Sequence, residues 1–286
     1  MGKIALPKPV LLDSDPGMLV LSLATYRFVS QPMGGPKIVT MTSDFGTRDH
    51  YVGAMKGVIL GIAPTASIVD ISHEIPAFNI AEGAFTIAQT YADFPSGSIH
   101  LVVVDPGVGS SRRAIVAASA GHLFVAPDNG VLSQVFERVD TWNVREIDSQ
   151  LGLDQISTTF HGRDLFAPVA ARLASGLEFD QIGPPIDDPV RLAPTIPSGG
   201  VGRVLHIDRF GNIVTSFVRE DVGDSAGLRV GNLIARNWAK PYADAPGAGA
   251  FLIVGSSGYV EVSINCGSAA EAAGIAAGTK VRVAGC

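Results

Sequence analysis

"VVVDPGVGSSRRA" (102–114) is the stretch on which the reading of this chain turns. Its valines mark a buried strand. Asp105 and Pro106 end the run, Gly107 and Gly109 turn the chain, and Arg112 and Arg113 lead into a second apolar segment. A short β-branched run closed by turn residues is a strand of a covered sheet. Upstream lie two more such runs, "KIVTMTS" (37–43) and "ASIVDIS" (66–72), and the quoted strand extends back to "SIHLVVV" (98–104). Between them stand two helical patterns, "YVGAMKGVILGIAP" (51–64) and "NIAEGAFTIAQTYADF" (79–94). Strands alternating with helices of 10–15 residues build βαβ units and a largely parallel sheet. Downstream, "RAIVAAS" (113–119) and "HLFVAP" (122–127) read as a hairpin, and "DLFAPVAARLASG" (164–176) as a helix with Asp164 as N-cap and Gly176 at its C-terminal end.

The texture changes at "GPPIDDPVRLAPTIPSGG" (183–200), where five prolines and three glycines mark a linker. Beyond it, "GRVLHIDRF", "NIVTSFV", "FLIVGSS", "GYVEVSI" and "KVRVAG" are short strands, with one helical pattern, "SAAEAAGI" (268–275). Such a series makes a small barrel. The expected fold class is therefore α/β: an N-terminal, mostly parallel sheet flanked by helices, plus a small C-terminal β-barrel domain. The expected division is an N-terminal extension (1–36), an α/β domain (37–185), a linker (186–200) and a β-barrel domain (201–286). The extension holds the apolar stretch 18–29, which lacks the basic flank and cleavage site of a signal peptide. It also holds "LLDSDPG" (11–17), whose two carboxylates are too few for a calcium site.

Composition narrows the function. With 286 residues the chain can bury two sizeable cores, and a net charge of −6 argues against a partner read through its phosphates. Two cysteines make neither a disulfide scaffold nor a zinc site, which points to a reducing cytoplasm. No apolar run reaches the roughly 18 residues of a membrane span.

In an open parallel sheet, ligands bind beyond the carboxyl ends of the strands. Asp44, Asp70 and Asp105 stand at such ends, and for Asp70 a capping role is the better reading. The glycines beside Asp44 and Asp105 let backbone approach a ligand. The loop after Asp105 is no phosphate cradle, because it lacks the lysine and glycine spacing of a P-loop and carries an acid. His161, in "TTFHGRDLFAP" (158–168), sits in a glycine-containing turn that can present it to a cleft. "APDNGVLSQVF" (126–136) reads first as a structural turn. On the barrel, "HIDRFGNIVTS" (206–216) and "VGSSGYVEVSINCGSAAE" (254–271) carry Asp208, Asn212, Ser256, Ser257, Tyr259 and Asn265 around tight turns.

Taken together, "MTSDFGTRDHYVGAMKG", "VDPGVGSSRRAI", "APDNGVLS", "FHGRDLFAP", "HIDRFGNIVT" and "NCGSAAEAAGI" resemble the S-adenosylmethionine hydrolases, or SAM hydroxide adenosyltransferases, relatives of fluorinase and chlorinase. The resemblance runs from about Lys37 to the C-terminus. It implies trimers with active sites between the N-domain of one subunit and the C-domain of the next. It implies attack of water or hydroxide on the ribose 5′ carbon of S-adenosyl-L-methionine, without a cofactor or metal, to give adenosine and L-methionine. The catalytic set maps onto Asp105, Arg112 and His161, and the ribose-binding acid onto Asp44. Methionine contacts map onto Asp208 and Ser257, adenine contacts onto Asn212 and the Asn265-Cys266 turn, and Phe78 and Ser256 join the substrate-binding residues. Halogenases of the same family carry an aromatic residue at position 105, a hydroxyl at 108 and a serine at 162; here these are Asp105, Val108 and Gly162. A carboxylate at position 105 repels a halide. Hydrolysis is thus the expected activity, with a halogenase or a non-catalytic S-adenosylmethionine or adenosine sensor as the alternatives. Whether Asp105 acts as a base or Arg112 and His161 stabilise hydroxide stays open at this level.

Overall fold

The computed structural model describes residues 37–148, 151–153, 156–194, 197–245, 247 and 249–285. The expected extension, with its "LLDSDPG" stretch, and Cys286 lie outside the described residues. The first sheet comprises β1 (Ile38–Ser43), β2 (Ser67–Ser72), β3 (Ile99–Val103), β4 (Ala114–Ser119), β5 (His122–Pro127), β6 (Trp142–Glu146) and β7 (Pro185–Ile186). Their spatial order is β2-β1-β3-β5-β4-β6-β7. The first four in that order are parallel, and β4, β6 and β7 continue the sheet antiparallel. The hairpin between β4 and β5 turns through Ala120 and Gly121, both at positive φ, the geometry that matches strand twist.

Helices cover both faces. α1 (Tyr51–Ile62) and α4 (Ala167–Ala174) pack on one, α2 (Ile80–Thr90) and α3 (Ser133–Glu137) on the other. The period-2 rule of a strand decides which residues meet them. Ile99, Leu101 and Val103 face α1 and α4, whereas Val102 and Val104 face α2 and α3.

The second sheet contains β8 (Val201–Ile207), β9 (Ile213–Thr215), β10 (Gly227–Val230), β11 (Leu233–Ala235), β12 (Asn237–Trp238), β13 (Ala250–Val254), β14 (Val260–Ile264) and β15 (Lys280–Ala284). Its order, β11-β10-β15-β8-β9-β14-β13-β12, curls into a nearly closed barrel around Val204, Leu228, Leu252, Val262 and Val281. The short helices α5 (Arg219–Val222) and α6 (Ala269–Ala273) complete the domain, and the Ser268 side chain caps α6. Among the described residues no helix is long and apolar enough to cross a membrane.

Two local readings need correction. Asp164 is not an N-cap. A π-helical turn, Gly162–Phe166, precedes α4, so helical backbone starts before Asp164. Its carboxylate instead accepts the Ser157 N–H (3.0 Å) and pairs with Arg163 (2.6 Å). The proline-rich join is also less free than its composition implies. Asp188 pairs with Arg113, the Val190 N–H reaches Asp128, and the Leu192 N–H reaches Ser133, all contacts with the α/β domain.

The base of the first sheet encloses two buried histidines. Thr40 Oγ1 meets His100 Nδ1 (2.7 Å), and His100 Nε2 meets His122 Nδ1 (3.1 Å). His100 stacks on Phe124, and Tyr91 and Phe94 present their edges to it. Burial, with His122 adding to it, holds the His100 pKa down to about 3 from 6.5. The unfolded chain therefore binds a proton that the folded chain refuses as pH drops below about 6.5. Stability falls on acidification through that window, by at most about 1.4 kcal/mol per pH unit for one such group. Melting temperatures followed from about pH 7.5 to 5 are expected to drop less steeply for His100→Gln than for the unaltered protein.

Candidate active site

β1 and β3 are neighbours whose connections leave in opposite directions, β1 toward β2 and β3 toward β5. Such a switch point opens a crevice at the carboxyl ends of the strands. Ser43 pairs with Val103 at that end, so the chain just beyond each strand carries Asp44 and Asp105 to the same crevice.

Arg112 returns to Asp105 as a bidentate partner. Its Nε lies 3.0 and 3.1 Å from the two carboxylate oxygens, and its Nη2 lies 2.5 Å from Oδ2. The pair is almost closed to solvent, with side-chain exposures of 10% for Arg112 and 5% for Asp105. The guanidinium also lies over the Phe166 ring, 5.1 Å from its centre. Its Nη2 is 2.7 Å from His161 Nδ1. A guanidinium only donates, so Nδ1 is the acceptor and the neutral ring carries its proton on Nε2. Burial, reinforced by the Arg112 charge, lowers the His161 pKa from 6.5 and keeps the ring neutral.

Gly109 is what lets these elements meet. It has φ +76°, and a Cβ there would collide with the Thr158 carbonyl oxygen. The loop after Asp105 thereby docks on the segment that leads to His161. Arg113 turns the other way, to Asp128 (2.6 Å) and Asp188 (2.6 Å). Asp128 and Asn129 are structural: Asn129 Nδ2 donates to the Val104 carbonyl (2.9 Å), tying that turn to β3. Asp70 pairs with Lys56 (2.5 Å) and His73 (3.1 Å).

Asp44 accepts the Phe78 N–H at 2.8 Å. Phe78 has φ +67° and is 72% exposed, a strained and solvated position for an aromatic residue. Gly162 is enclosed: a Cβ would lie 3.1 Å from Met55 Sδ and 3.2 Å from both Phe45 and Phe160.

The barrel residues gather elsewhere, around a cavity of about 710 Å³. Asp208, Asn212, Ser256, Asn265 and Cys266 line it, and among the described residues none of the first domain does. Cys266 is exposed at φ +53°. Ser257 is not part of the lining, and its Oγ is buried without a hydrogen-bond partner among the described residues. Asp208 organises the turn: Oδ1 accepts the Phe210 and Asn212 N–H groups, each at 2.9 Å, and Oδ2 accepts Asn212 Nδ2 at 2.8 Å. Sequence reasoning missed Phe210, Tyr242 and Glu261, which also face the cavity. Glu261 was discoverable as the one acid in the alternating strand "GYVEVSI". Burial, reinforced by Asp208, pushes its carboxyl upward from the ordinary range.

Residues 39–183 match the model of the SAM hydroxide adenosyltransferase N-terminal domain, and residues 202–282 match that of the C-terminal domain. A protein of Salinispora arenicola named (R)-S-adenosyl-L-methionine hydrolase is 37% identical, covering 86% of this chain and 97% of its own. One of the same name from Thermus thermophilus is 35% identical, covering 86% and 98%. A fluorinase of Actinopolyspora mzabensis is more distant, at 28% identity over 86% of this chain and 96% of its own. The crystal structure of an uncharacterized conserved protein from Thermotoga maritima superposes with a TM-score of 0.78 at 35% identity, covering 86% of this chain and 99% of that one. With both domains matched in order and across most of its length, the chain belongs to the SAM hydroxide adenosyltransferase family.

Proposed function

We propose that this protein hydrolyses (R)-S-adenosyl-L-methionine to adenosine and L-methionine, the R configuration at sulfur being the one in the names of its hydrolase relatives. The observation that carries the reading is the Asp105–Arg112–His161 cluster at the sheet's switch point. A water oxygen forms the new bond to the ribose 5′ carbon as the carbon–sulfur bond breaks. The electron pair goes to sulfur, and methionine leaves as a neutral thioether. The sulfonium is already an activated leaving group, so the reaction as proposed calls for no cofactor or metal.

What the protein supplies is position and charge. Asp105 accepts a hydrogen bond from the attacking water and draws off its proton. Arg112 holds that carboxylate in one orientation. The Nε2–H of His161 is a donor for the same water or for hydroxide. Aligning water with the breaking bond contributes roughly 7–11 kcal/mol in favourable intramolecular models. Asp44 suits the ribose hydroxyls, beside the Phe78 ring. Asp208, Asn212, Ser256, Asn265 and Cys266 suit the rest of the substrate, with Ser257 in a supporting place behind the lining.

We also infer a trimer acting in the cytoplasm, in which the barrel cavity of one subunit completes the Asp105 crevice of another. What supports the shared site is a cavity lined, among the described residues, by those of the second domain only, while the reacting cluster belongs to the first. Sedimentation of the full chain is expected to give three copies, and full activity from a monomer overturns the shared site.

The first test is incubation with (R)-S-adenosyl-L-methionine in halide-free buffer, with products followed by chromatography. Adenosine and methionine are expected. A 5′-halo-adenosine formed on adding halide, or binding without turnover, overturns the reading. Asp105→Asn is expected to lower kcat by roughly 10²–10⁴-fold while adenosine binding persists.

The pH profile is a second test. Neutral His161 is the working form, and its pKa lies below 6.5. Accordingly kcat/KM is expected to stay level down to about pH 6.5 and to fall only below it. An acid limb centred above 6.5 overturns the neutral-imidazole role.

A further inference from the structure

The barrel cavity holds two carboxylates, and one of them is committed to the fold. Asp208 spends three acceptor positions on its own turn. Glu261 is placed differently. Its Oε2 accepts the Tyr242 hydroxyl at 2.9 Å, and its Oε1 takes no hydrogen bond from any described residue. On β14 the alternate residues Val260 and Val262 fill the barrel core, so Glu261 faces outward to the cavity. Gly255 makes room for it, since a Cβ at that position would collide with the carboxylate.

The surrounding groups are complementary. Asn212 must turn its amide nitrogen to Asp208, which leaves its Oδ1 as a second acceptor. The Tyr242 ring is held edge-on by Phe251, at 5.9 Å and 81°, and its hydroxyl is held by Glu261. Among the described residues no lysine, arginine or histidine lines the cavity. A fixed aromatic face with unpaired acceptors beside it fits a planar base whose edge carries N–H donors.

We propose that Glu261 is a specificity-determining residue that accepts a hydrogen bond from the exocyclic amino group of the substrate's purine, so that the site selects a 6-amino over a 6-oxo purine. This rests on the proposed substrate only in taking its base to be the cavity's occupant. An amino group brings two N–H donors to Glu261 and Asn212. A 6-oxo purine brings a carbonyl oxygen to the same acceptors, which repels them and leaves them unpaired. Sites built around such a hydrogen bond discriminate strongly against the analogue that lacks it.

The test is calorimetric titration of the full chain with adenosine and with inosine, in parallel with the hydrolysis assay. The unaltered protein is expected to prefer adenosine by at least about tenfold. Glu261→Gln presents an amide that also donates, and is expected to bring the two affinities to within about threefold, mainly by gaining inosine. Tyr242→Phe frees the carboxylate while keeping the ring, and is expected to lower the preference partway. An unchanged adenosine-to-inosine ratio in folded Glu261→Gln overturns the proposal, as does failure of the unaltered protein to bind either nucleoside. Glu261-dependent selectivity in a protein that does not turn over S-adenosylmethionine leaves this inference standing and removes the hydrolase reading instead.

Discussion

The nearly dry, bidentate pair between Asp105 and Arg112 is the contact on which the crevice depends. Taking both charges out of water is costly, and losing one partner strands the other, at about 3–5 kcal/mol in comparable buried pairs. That cost is tolerable here because the surroundings are already fixed. β3 delivers the carboxylate, Gly109 presses the return loop onto Thr158, and Phe166 lies under the guanidinium. The same guanidinium then sets which nitrogen of His161 carries the proton. One ion pair thus determines a carboxylate's orientation and an imidazole's tautomer together.

The barrel is joined to this assembly by a second polar contact. Glu82 on α2 is buried and meets His206 on β8 at 2.7 Å, with Phe85 stacked on the imidazole. Asn79, which caps α2, donates to Glu82 and follows Phe78, the residue bound by Asp44. His206 stands two residues before Asp208. The seam between domains therefore runs from the partner of the ribose-side acid to the turn that shapes the barrel cavity. Within one chain these contacts fix how far apart, and at what angle, the two sets of binding residues are held.

Much of this was legible because the strongest patterns belong to fully covered elements. The valines of β3 and the hairpin of β4 and β5 are covered on both faces and read as short continuous apolar runs closed by turn residues, while α2 carries a helical repeat. β6 was missed because only Val144 of its five residues is buried, which leaves little alternation to read. β10, β11 and β12 were missed because runs of two to four residues carry no period. Arg112 pairs with Asp105 while Arg113 turns to Asp128, because a glycine loop that short can return only one of two adjacent arginines. Asp164 was misread because an acid ahead of an apolar helix has the composition of a cap, whereas a π-helical turn is set by tertiary packing. Glu261 was passed over because a single acid in an exposed strand looks like solvated surface until the cavity is seen.

Gly162 constrains how this scaffold could change its chemistry. A serine at this position, which the family resemblance assigns to the halogenases, would arrive as a side chain among Met55, Phe45 and Phe160, each within 3.2 Å of the first added carbon. Contacts that tight are relieved only if the neighbours give way. Two of those neighbours, Phe45 and Phe160, also pack edge-to-face on each other, and Met55 is fully buried in α1. A change from water to halide as the nucleophile that used this position would therefore bring its serine into a wall that is already filled. Met55, Phe45 and Phe160 would each have to give by a few tenths of an ångström, and how far this packed wall yields sets what the new hydroxyl costs.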